Sequence, residues 1–453
     1  MIMRNDILMK GLVLGILLLF VTASIVSALN ANPSQNSTSA KLGSWLYVGG
    51  NGPGNYTRIQ DALDNASTGD TVYVYSGTYN ENIVIETEGL TLMGENKATT
   101  TICSRNSAKN TTEIIALHVT LQGFTIENAT GSNTLWDTSG VFICSSYAVV
   151  RDNVIRDNRL GLCTLNIVYN VTICNNSFLD DGILFGNYEH NPTYPEVSLD
   201  CFLYTVYNNT VNGKPLYYFK NIRDFVVPAD AGQVILSNCT NVTVTDTYLT
   251  HCNFPIMLNY CQNCYVEHNT VEDTYGEIIT MRSENCTFQH NTVDQIIFGV
   301  CLDQKSHNNV IRYNTVTNST GGVMVMIESA NNVVYGNTFL GNSLGIGLRQ
   351  GAHHNTFSNN SLKQNDIGLY LTGAPYDNVI ENNTFIKNTF QVQSIGKTSN
   401  YYNNNYWNRP RVFPKCIFGC LTGGQILPMF MVPYCICGVD WHPLNTVPVR
   451  VLV

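Results

Sequence analysis

A step of 22 or 23 residues, repeated through the second half of the chain, constrains the fold more than any other feature of the sequence. In each step an Asn or Asp precedes a Thr-apolar, Ser-apolar or Tyr-Trp pair. These marker residues are Asp246, Asn269, Asn291, Asn314, Asn337, Asn360, Asn383 and Asn405. Further upstream, Asn153 and Asn176 are also 23 residues apart. A fixed period of roughly 20 to 50 residues is typical of a solenoid, in which each unit buries its apolar face against its neighbours.

Within each unit the apolar residues alternate with polar ones, as they do in short strands. Ile367, Leu369 and Leu371, for example, occupy every second position. The units lack a helical stripe, and they also lack the Leu-x-x-Leu-x-Leu frame of leucine-rich repeats. We therefore predict an all-β fold, a right-handed parallel β-helix of about a dozen coils that stack about 4.8 Å apart.

The repeated Asn and Gly positions each have a predicted structural role. Marker asparagines on stacked coils should form a column whose side-chain amides hydrogen-bond to each other and to the turn backbone. A second column is expected five residues earlier, at Asn309 and its equivalents, where Cys264 and Cys286 replace Asn on two coils. Glycines recur eight residues after the marker, and we expect them to supply turns with positive φ. These glycines are Gly299, Gly322, Gly345 and Gly368.

The N-terminus is typical of an export signal. Arg4 and Lys10 precede an apolar run, and Val26-Ser27-Ala28 supplies small residues for cleavage. An uncleaved segment would instead anchor the chain, because the apolar stretch approaches the roughly 18 residues that can span a bilayer. In either case we expect the rest of the chain to be secreted or at the cell surface, with a membrane contact only through this segment.

The chain divides into a signal peptide (1–28), a polar linker (29–44), the β-helix (45–407) and an irregular C-terminal cap (408–453). Longer steps before Asp246 place an insertion around 187–230. A solenoid needs caps over its apolar ends. A short amphipathic helix with Ile59, Ala62 and Leu63 on one face is predicted before the first strand, where it would close the N-terminal end.

Composition restricts the partners. Charged residues make up 13% of the chain, well below the roughly 25% of average globular proteins. The formal net charge is -9 without a basic stripe, so nucleic acid and anionic membranes are poor partners. About fourteen Asn-x-Ser/Thr sequons fit an exported glycoprotein, although an Asn/Thr-rich repeat also creates them by chance.

Several stretches resemble known β-helix families. The stretch "IQDALDNASTGDTVYVYSGTYNENIVI" is similar to the first segment of pectin-lyase-like proteins. "GKPLYYFKN" and "AGQVILSNCTNVTVTD" resemble the NosD family, and the likeness extends from about Trp45 to about Trp441. The resemblance implies a right-handed parallel β-helix. It leaves the function open, because the superfamily includes lyases, hydrolases, epimerases, binding proteins and structural proteins, whereas NosD proteins are associated with maturation of the copper site of nitrous oxide reductase.

The repeat register suggests candidate catalytic residues. The position about twelve residues after each marker holds Arg282, Asp303, Met326, Arg349 and Thr372. If the 22-residue coil keeps this register, Arg282 and Asp303 lie about 5 Å apart on one exposed sheet. An Arg beside an Asp can bind a uronate carboxylate and transfer a proton, and Arg349 lies on the same column. The alternative is a surface ion pair between stacked strands, which contributes little.

Aromatic residues suggest a sugar-binding surface, because their rings match the apolar C–H faces of sugars. The predicted insertion carries many tyrosines, including Tyr217 and Tyr218, and Tyr370 falls on the outward side of a regular coil. The alternative for the insertion is a small satellite core beneath it.

Three groups of residues could bind a metal. The first is Cys416, Cys420, Cys435 and Cys437 in the C-terminal cap, with His442 nearby. The second is His251, Cys252, Cys261, Cys264 and His268, and the third is an outward stripe of Met257, Met281, Cys301, Met324 and Met326. Sulfur ligands would suit copper(I), and four thiolates would suit zinc or iron. Disulfides in the cap and buried thiols in the coils are the alternatives, and the odd count of 15 cysteines leaves at least one thiol without an intramolecular partner.

The sequence therefore favours an exported cell-surface β-helix protein that binds or processes a polysaccharide or surface glycan. If it is an enzyme, a polysaccharide lyase, hydrolase or epimerase is expected. The alternatives are a NosD-type accessory protein that handles copper, and a structural or adhesive surface protein without catalysis.

Overall fold

The structure, a computed structural model, describes residues 43–131, 138–165, 167–187, 197–396, 398–408, 415–420, 434–440 and 443–444. The predicted signal peptide and nearly all of the predicted linker lie outside these ranges. No helix within them is long and apolar enough to cross a bilayer. Residues from Gly43 onward form one compact unit.

The first coils build three columns of parallel strands, each strand paired with its equivalent one coil away. The first column contains Trp45–Val48, Thr71–Val74, Thr91–Gly94, Thr120–Gln122, Val149–Arg151, Thr172–Cys174 and Thr205–Tyr207. The second contains Gly77–Asn80, Thr100–Cys103, Thr125–Glu127, Val154–Arg156, Ser177–Leu179 and Thr210–Val211. The third contains Ile83–Ile85, Thr112–Ile114, Ser139–Ile143, Leu160–Leu165 and Ile183–Asn187.

The later coils also build three columns, here named the front, side and rear sheets. The front sheet contains Lys214–Lys220, Gln233–Ser237, Ile256–Asn259, Glu277–Met281, Phe298–Asp303, Gly321–Val325, Leu344–Arg349, Ile367–Thr372, Phe390–Ile395 and Lys415–Cys420. The side sheet contains Arg223–Val227, Thr240–Thr245, Tyr265–Glu267, Thr287–Gln289, Val310–Arg312, Val333–Tyr335, Thr356–Ser358, Tyr376–Glu381, Ser399–Asn403 and Tyr434–Asp440. The rear sheet contains Tyr248–Thr250, Thr270–Glu272, Thr292–Asp294, Thr315–Thr317, Thr338–Leu340, Ser361–Lys363, Thr384–Ile386 and Tyr406–Trp407.

The two sets of coils meet at a hairpin. Thr210–Val211 pairs antiparallel with the start of Lys214–Lys220, and that strand then pairs in parallel with Gln233–Ser237. A short 3-10 helix, Leu199–Phe202, precedes the hairpin. The break in period that the sequence places around 187–230 therefore contains the change from one set of columns to the other.

The all-β parallel solenoid is confirmed, with two corrections. It has about 15 turns rather than about a dozen. The helix Ile59–Asp64 buries Ile59, Ala62 and Leu63 as expected, but it follows the strand Trp45–Val48 instead of preceding the first strand. That strand was missed because a single four-residue strand has no repeat partner within the regular 23-residue pattern.

The described part of the C-terminal cap is regular rather than irregular. Lys415–Cys420 continues the front sheet and Tyr434–Asp440 continues the side sheet. The two strands also pair antiparallel with each other. This pairing occupies backbone groups of the last strands that would otherwise be open at a sheet edge.

The asparagine columns form as predicted. The side-chain amide of Asn269 donates to Asn291 Oδ1 at 3.0 Å and to the carbonyl oxygen of Val244 at 3.0 Å. Its own Oδ1 accepts from the backbone N–H of Thr247 at 3.1 Å, so Thr247, and not Asp246, is the first member of this column. At the other end Asp440 accepts from the Asn405 amide at 3.1 Å. Each turn thus has its buried backbone groups paired.

The recurring glycines have a different role from the one predicted. Gly299, Gly322, Gly345 and Gly368 do not take positive φ, which residues such as His290 and Tyr313 adopt instead. A Cβ on Gly322 would lie 2.2 Å from Phe339 Cδ1 and 2.4 Å from the carbonyl oxygen of Gly345. Glycine is required here because the interior leaves no room for a side chain.

Candidate functional site

The outer face of the front sheet collects sulfur and carboxyl groups. Met257, Ile279, Cys301, Met324 and Gly347 follow one another in register on five consecutive coils, and Tyr370 comes next. A neighbouring column contains Asn259, Met281 and Asp303. We name the sulfur–carboxylate face by its members, Met257, Glu277, Met281, Cys301, Asp303, Met324 and Met326.

Strand alternation explains why these side chains share one face. In Glu277–Met281 the side chain of Ile278 belongs to the interior apolar core. The alternate residues Ile279 and Met281 belong instead to the apolar cluster that contains Val197 and Phe202. The outer face of this part of the sheet is therefore buried, whereas the sequence predicts an exposed surface.

The predicted sulfur stripe lies together on this face. Cys301 Sγ is 3.9 Å from Met326 Sδ on the next coil. Met324 lies over Gly347, where an added Cβ would come within 2.6 Å of its Sδ. A glycine at 347 thus leaves space for the thioether, and the two sulfur atoms of neighbouring coils meet in an apolar environment.

Two buried carboxyl groups accompany the sulfur atoms. Glu277 and Asp303 are each 4% exposed. Burial, reinforced by the charge of Asp303, raises the pKa of Glu277 to about 8. Burial likewise raises the pKa of Asp303 to about 7, against the opposing effects of the Gln304 N–H and the Arg349 charge. Glu277 Oε2 lacks a hydrogen-bond partner among the described residues.

The structure corrects the register of the predicted Arg–Asp pair. Met281, and not Arg282, stands opposite Asp303. Arg282 is one position beyond the strand, with φ of 50°, and its guanidinium lies 5.9 Å from the Tyr260 ring centre. The missing residue of this coil is taken up at an irregularity between Glu277 and Ile279. Arg349, two coils further on, is the arginine whose charge lowers the pKa of Asp303.

The predicted sugar-binding tyrosines do not form one surface. The Tyr218 hydroxyl donates to the carbonyl oxygen of Phe202 at 2.6 Å, and its ring packs edge-on against Phe185. Tyr217 donates to Asp230 at 2.8 Å. Tyr370 is on the same front-sheet column as Tyr218 but seven coils away, about 33 Å at the usual strand spacing. Tyr218 thus fits the satellite-core alternative.

The candidate metal groups are not assembled. Of the second group, Cys252, Cys261 and Cys264 are buried whereas His251 and His268 are exposed, so these side chains do not converge. In the cap, Cys416 stands opposite Val439, and Cys435 stands opposite Gly419. Cys420 and Cys437 lie on the same two strands. Within the described ranges, no group of three or more His, Cys, Asp or Glu could hold a metal ion; His442 lies outside those ranges.

Sequence reasoning missed a cluster of aromatic side chains on the outer face of the first column. Trp45, Tyr47, Tyr73 and Tyr75 form this aromatic platform. The Trp45 ring centre lies 6.3 Å from Tyr47 and 6.2 Å from Tyr73, and Tyr47 lies 6.2 Å from Tyr75. Trp45 is 54% exposed and Tyr47 38%. The alternating aromatics of "WLY" and "YVY" were the available signal, and the parallel pairing of Tyr47 with Tyr73 brings them together.

A protein-family model described as "Periplasmic copper-binding protein (NosD)" matches residues 204–419. No protein with a curated description matches the sequence.

Three solved structures illustrate the similarity of fold. The A-module of the mannuronan C-5 epimerase AlgE6 from Azotobacter vinelandii is 15% identical, with a TM-score of 0.31 over 77% of this chain and 87% of that one. A mannuronic-acid-specific polysaccharide family 6 lyase from human gut microbiota is 13% identical, with a TM-score of 0.30 over 77% and 84%. A GH136 lacto-N-biosidase from Eubacterium ramulus is 11% identical, with a TM-score of 0.34 over 75% and 67%. The family match and the coil architecture together identify the chain as a NosD-like parallel β-helix repeat protein.

Proposed function

We propose that this protein is an exported surface protein that binds a glycan on the aromatic platform. The observation that carries the proposal is the exposure of four adjacent aromatic rings on one sheet face. Large exposed aromatic groups are uncommon on a surface unless they contact a partner.

The chemistry of the platform suits a sugar. Three of the four rings are tyrosines, which combine an apolar ring with a hydroxyl that can donate to a sugar oxygen. Glu95 adds a carboxylate beside Tyr73, where its charge raises the pKa of the tyrosine after burial has done so. Rings and hydrogen-bonding groups thus lie side by side, as recognition of a partly apolar, hydroxyl-rich ligand requires.

The test is binding of a panel of oligosaccharides, including uronate-rich and neutral chains, followed by tryptophan fluorescence and calorimetry. Trp45→Ala and Tyr47→Ala should each weaken binding at least tenfold. Tyr401→Ala removes an isolated ring that is 61% exposed and should leave affinity unchanged. Equal loss in all three variants, or binding that survives Trp45→Ala, would contradict a platform role.

A second candidate function is copper(I) handling at the sulfur–carboxylate face. The contact between Cys301 and Met326 favours it, because a thiol and thioethers are soft ligands that select copper(I) over harder ions. The family description supports the same metal as a cargo. Cys301, Met324 and Met326 would hold the ion, and the buried apolar setting would exclude water from it.

Titration with copper(I) under anaerobic conditions, against a chromophoric chelator, tests this candidate. Cys301→Ala and Met326→Leu should each lower the affinity by tenfold or more. Met93→Leu, a half-buried methionine on the first column, is the matched control and should bind as the wild type does. Retention of affinity in the Cys301→Ala/Met326→Leu double variant would place the copper elsewhere.

A further inference from the structure

Four cysteines gather at the corner between the front and side sheets. Cys239, Cys261, Cys264 and Cys286 lie on three consecutive coils, and none of the four is measurably exposed. The Cys261 thiol is within hydrogen-bonding reach of the thiols of Cys239 and Cys264. Cys264 in turn reaches Cys286. We name this group the thiol corner; neither proposed function uses it.

The strand register divides the thiol corner into two stacked pairs. Cys239 and Cys261 immediately precede the bridged residues Thr240 and Gln262, so they occupy equivalent positions on adjacent coils. Cys264 and Cys286 immediately precede the paired residues Tyr265 and Thr287. Adjacent strands lie about 4.8 Å apart, which falls within the roughly 4.4–6.8 Å between Cα atoms that a disulfide spans.

The next coils show what these positions contain when they serve only the fold. The column of Cys239 and Cys261 continues as serine, and Ser283 Oγ accepts from the Cys261 N–H at 2.9 Å. The column of Cys264 and Cys286 continues as asparagine, and Asn309 Oδ1 accepts from the Cys286 N–H at 2.9 Å. A serine or asparagine thus pairs the turn backbone with strong hydrogen bonds.

The thiols do this work poorly. Cys261 Sγ lies 3.5 Å from the carbonyl oxygen of Asn259, and Cys286 Sγ lies 3.4 Å from that of Glu284. A thiol is a weak donor and a weak acceptor. Four substitutions that weaken the hydrogen bonds of one corner are therefore unexplained by packing, and a covalent role would explain them.

We propose that Cys239 with Cys261, and Cys264 with Cys286, are two disulfide-forming pairs that join three coils when the protein folds in an oxidising compartment. Each pair of thiols reacts with one disulfide-bearing oxidant. The two S–H bonds and the oxidant's S–S bond break, and one protein S–S bond and two oxidant S–H bonds form. The oxidant takes up both electrons and both protons.

The pairing and its timing follow from the geometry. Because no three of these groups surround a common point in the described structure, a two-by-two arrangement fits better than a metal centre. The structure shows all four as free thiols. Burial raises the pKa of Cys261, and a closed corner excludes an oxidant, so the bonds form before the coils finish stacking or not at all. The corner then keeps the redox state in which it folded.

The direct test is peptide mapping of the full chain, produced by secretion through an oxidising compartment and denatured with an alkylating reagent without reductant. The expected peptides link Cys239 to Cys261 and Cys264 to Cys286, each lighter by two hydrogen atoms than its reduced form. Four alkylated thiols, a link between Cys261 and Cys264, or a stoichiometric metal released with free thiols would each overturn the proposal.

A ladder-restoring variant separates a covalent role from a packing role. Cys239→Ser/Cys261→Ser/Cys264→Asn/Cys286→Asn places at each position the residue that the following coils use. We expect wild type made under oxidising conditions to melt several degrees above this variant, and wild type made under reducing conditions to have no such advantage. The control is Cys252→Ser, which removes a buried thiol outside the corner and should not change the difference between the two preparations. A melting difference that is the same in both preparations would contradict the proposal.

Discussion

Asn314 Oδ1 accepts two hydrogen bonds from Asn291, one coil earlier: one from the backbone N–H at 3.0 Å and one from the side-chain amide at 2.9 Å. The Asn314 amide donates to the carbonyl oxygen of Phe288 at 2.9 Å and to Asn337 Oδ1 at 3.0 Å. One side chain therefore connects three coils. Because all of these groups are buried, each would lose its partner without access to water.

Asn314→Ala should lower the free energy of unfolding by about 3 kcal/mol or more, because each buried group left unpaired costs about 1–3 kcal/mol. Chemical denaturation measures the loss. Thr315→Ala, which truncates an exposed neighbour, is the control and should fall within about 0.5 kcal/mol of wild type. Equal stability of the two variants would mean that the asparagine column contributes little.

Asp181 predicts a pH dependence of stability. It occupies a column position in the first set of coils, where its carboxylate accepts from the Asn158 amide at 2.8 Å. Burial raises its folded-state pKa well above the ordinary value, despite the opposing hydrogen bonds. Above pH of about 4 the unfolded chain loses this proton while the folded chain keeps it. Stability contributed by the protonated form is therefore lost as pH rises from about 4 toward the raised pKa.

Asp181→Asn keeps the acceptor and removes the ionisation. The variant should be more stable than wild type at pH 7 and nearly equal to it at pH 4, which denaturation curves at the two values would show. Asp180→Asn, at the exposed neighbouring position, should leave the wild-type pH dependence in place. A constant offset between Asp181→Asn and wild type across this range would show that ionisation of Asp181 is not responsible.

Two glycine substitutions distinguish crowding from backbone strain. Gly322→Ala brings a Cβ against both a ring and a fixed carbonyl oxygen, so we expect a loss of about 1–3 kcal/mol or more from overpacking. Gly213→Ala has φ of 79° and no atom within 4 Å of the added Cβ, so it measures the cost of positive φ alone, about 1 kcal/mol. Thermal unfolding ranks the two. A larger loss in Gly213→Ala would contradict the packing account.

The period of the sequence was enough to predict the fold because each coil repeats the same short-range requirements. Asn side chains that pair turns, and alternate apolar residues that fill the interior, recur at a spacing that only stacking explains. The same count also placed Cys301 and Met324 on one face. It could not say that this face is buried, because what covers an outer face comes from outside the repeat.

The remaining errors come from places where local geometry departs from the repeat. The irregularity between Glu277 and Ile279 shifts the register by one residue, so that Arg282 leaves the column of Asp303. Counting finds that a coil is short but does not find which strand absorbs the difference. Trp45 and Tyr73 lie in coils of unequal length, and their proximity depends on strand pairing rather than on a fixed spacing.

Catalysis by Asp303 stays a prediction with a direct test. If the protein processes the glycan that it binds, Asp303→Asn should abolish turnover, because an amide cannot exchange the proton that a carboxyl can. Its melting temperature should not fall, since the amide oxygen can still accept from the Gln304 N–H, which lies 2.7 Å from the carboxyl oxygen. Arg349→Gln and Arg282→Gln should then rank by their distance from Asp303, with the larger loss at Arg349. Asp366→Asn, an exposed carboxylate on a later coil, is the control. Full turnover in Asp303→Asn would remove this residue from any chemistry and leave glycan binding as the whole activity of the sheet surface.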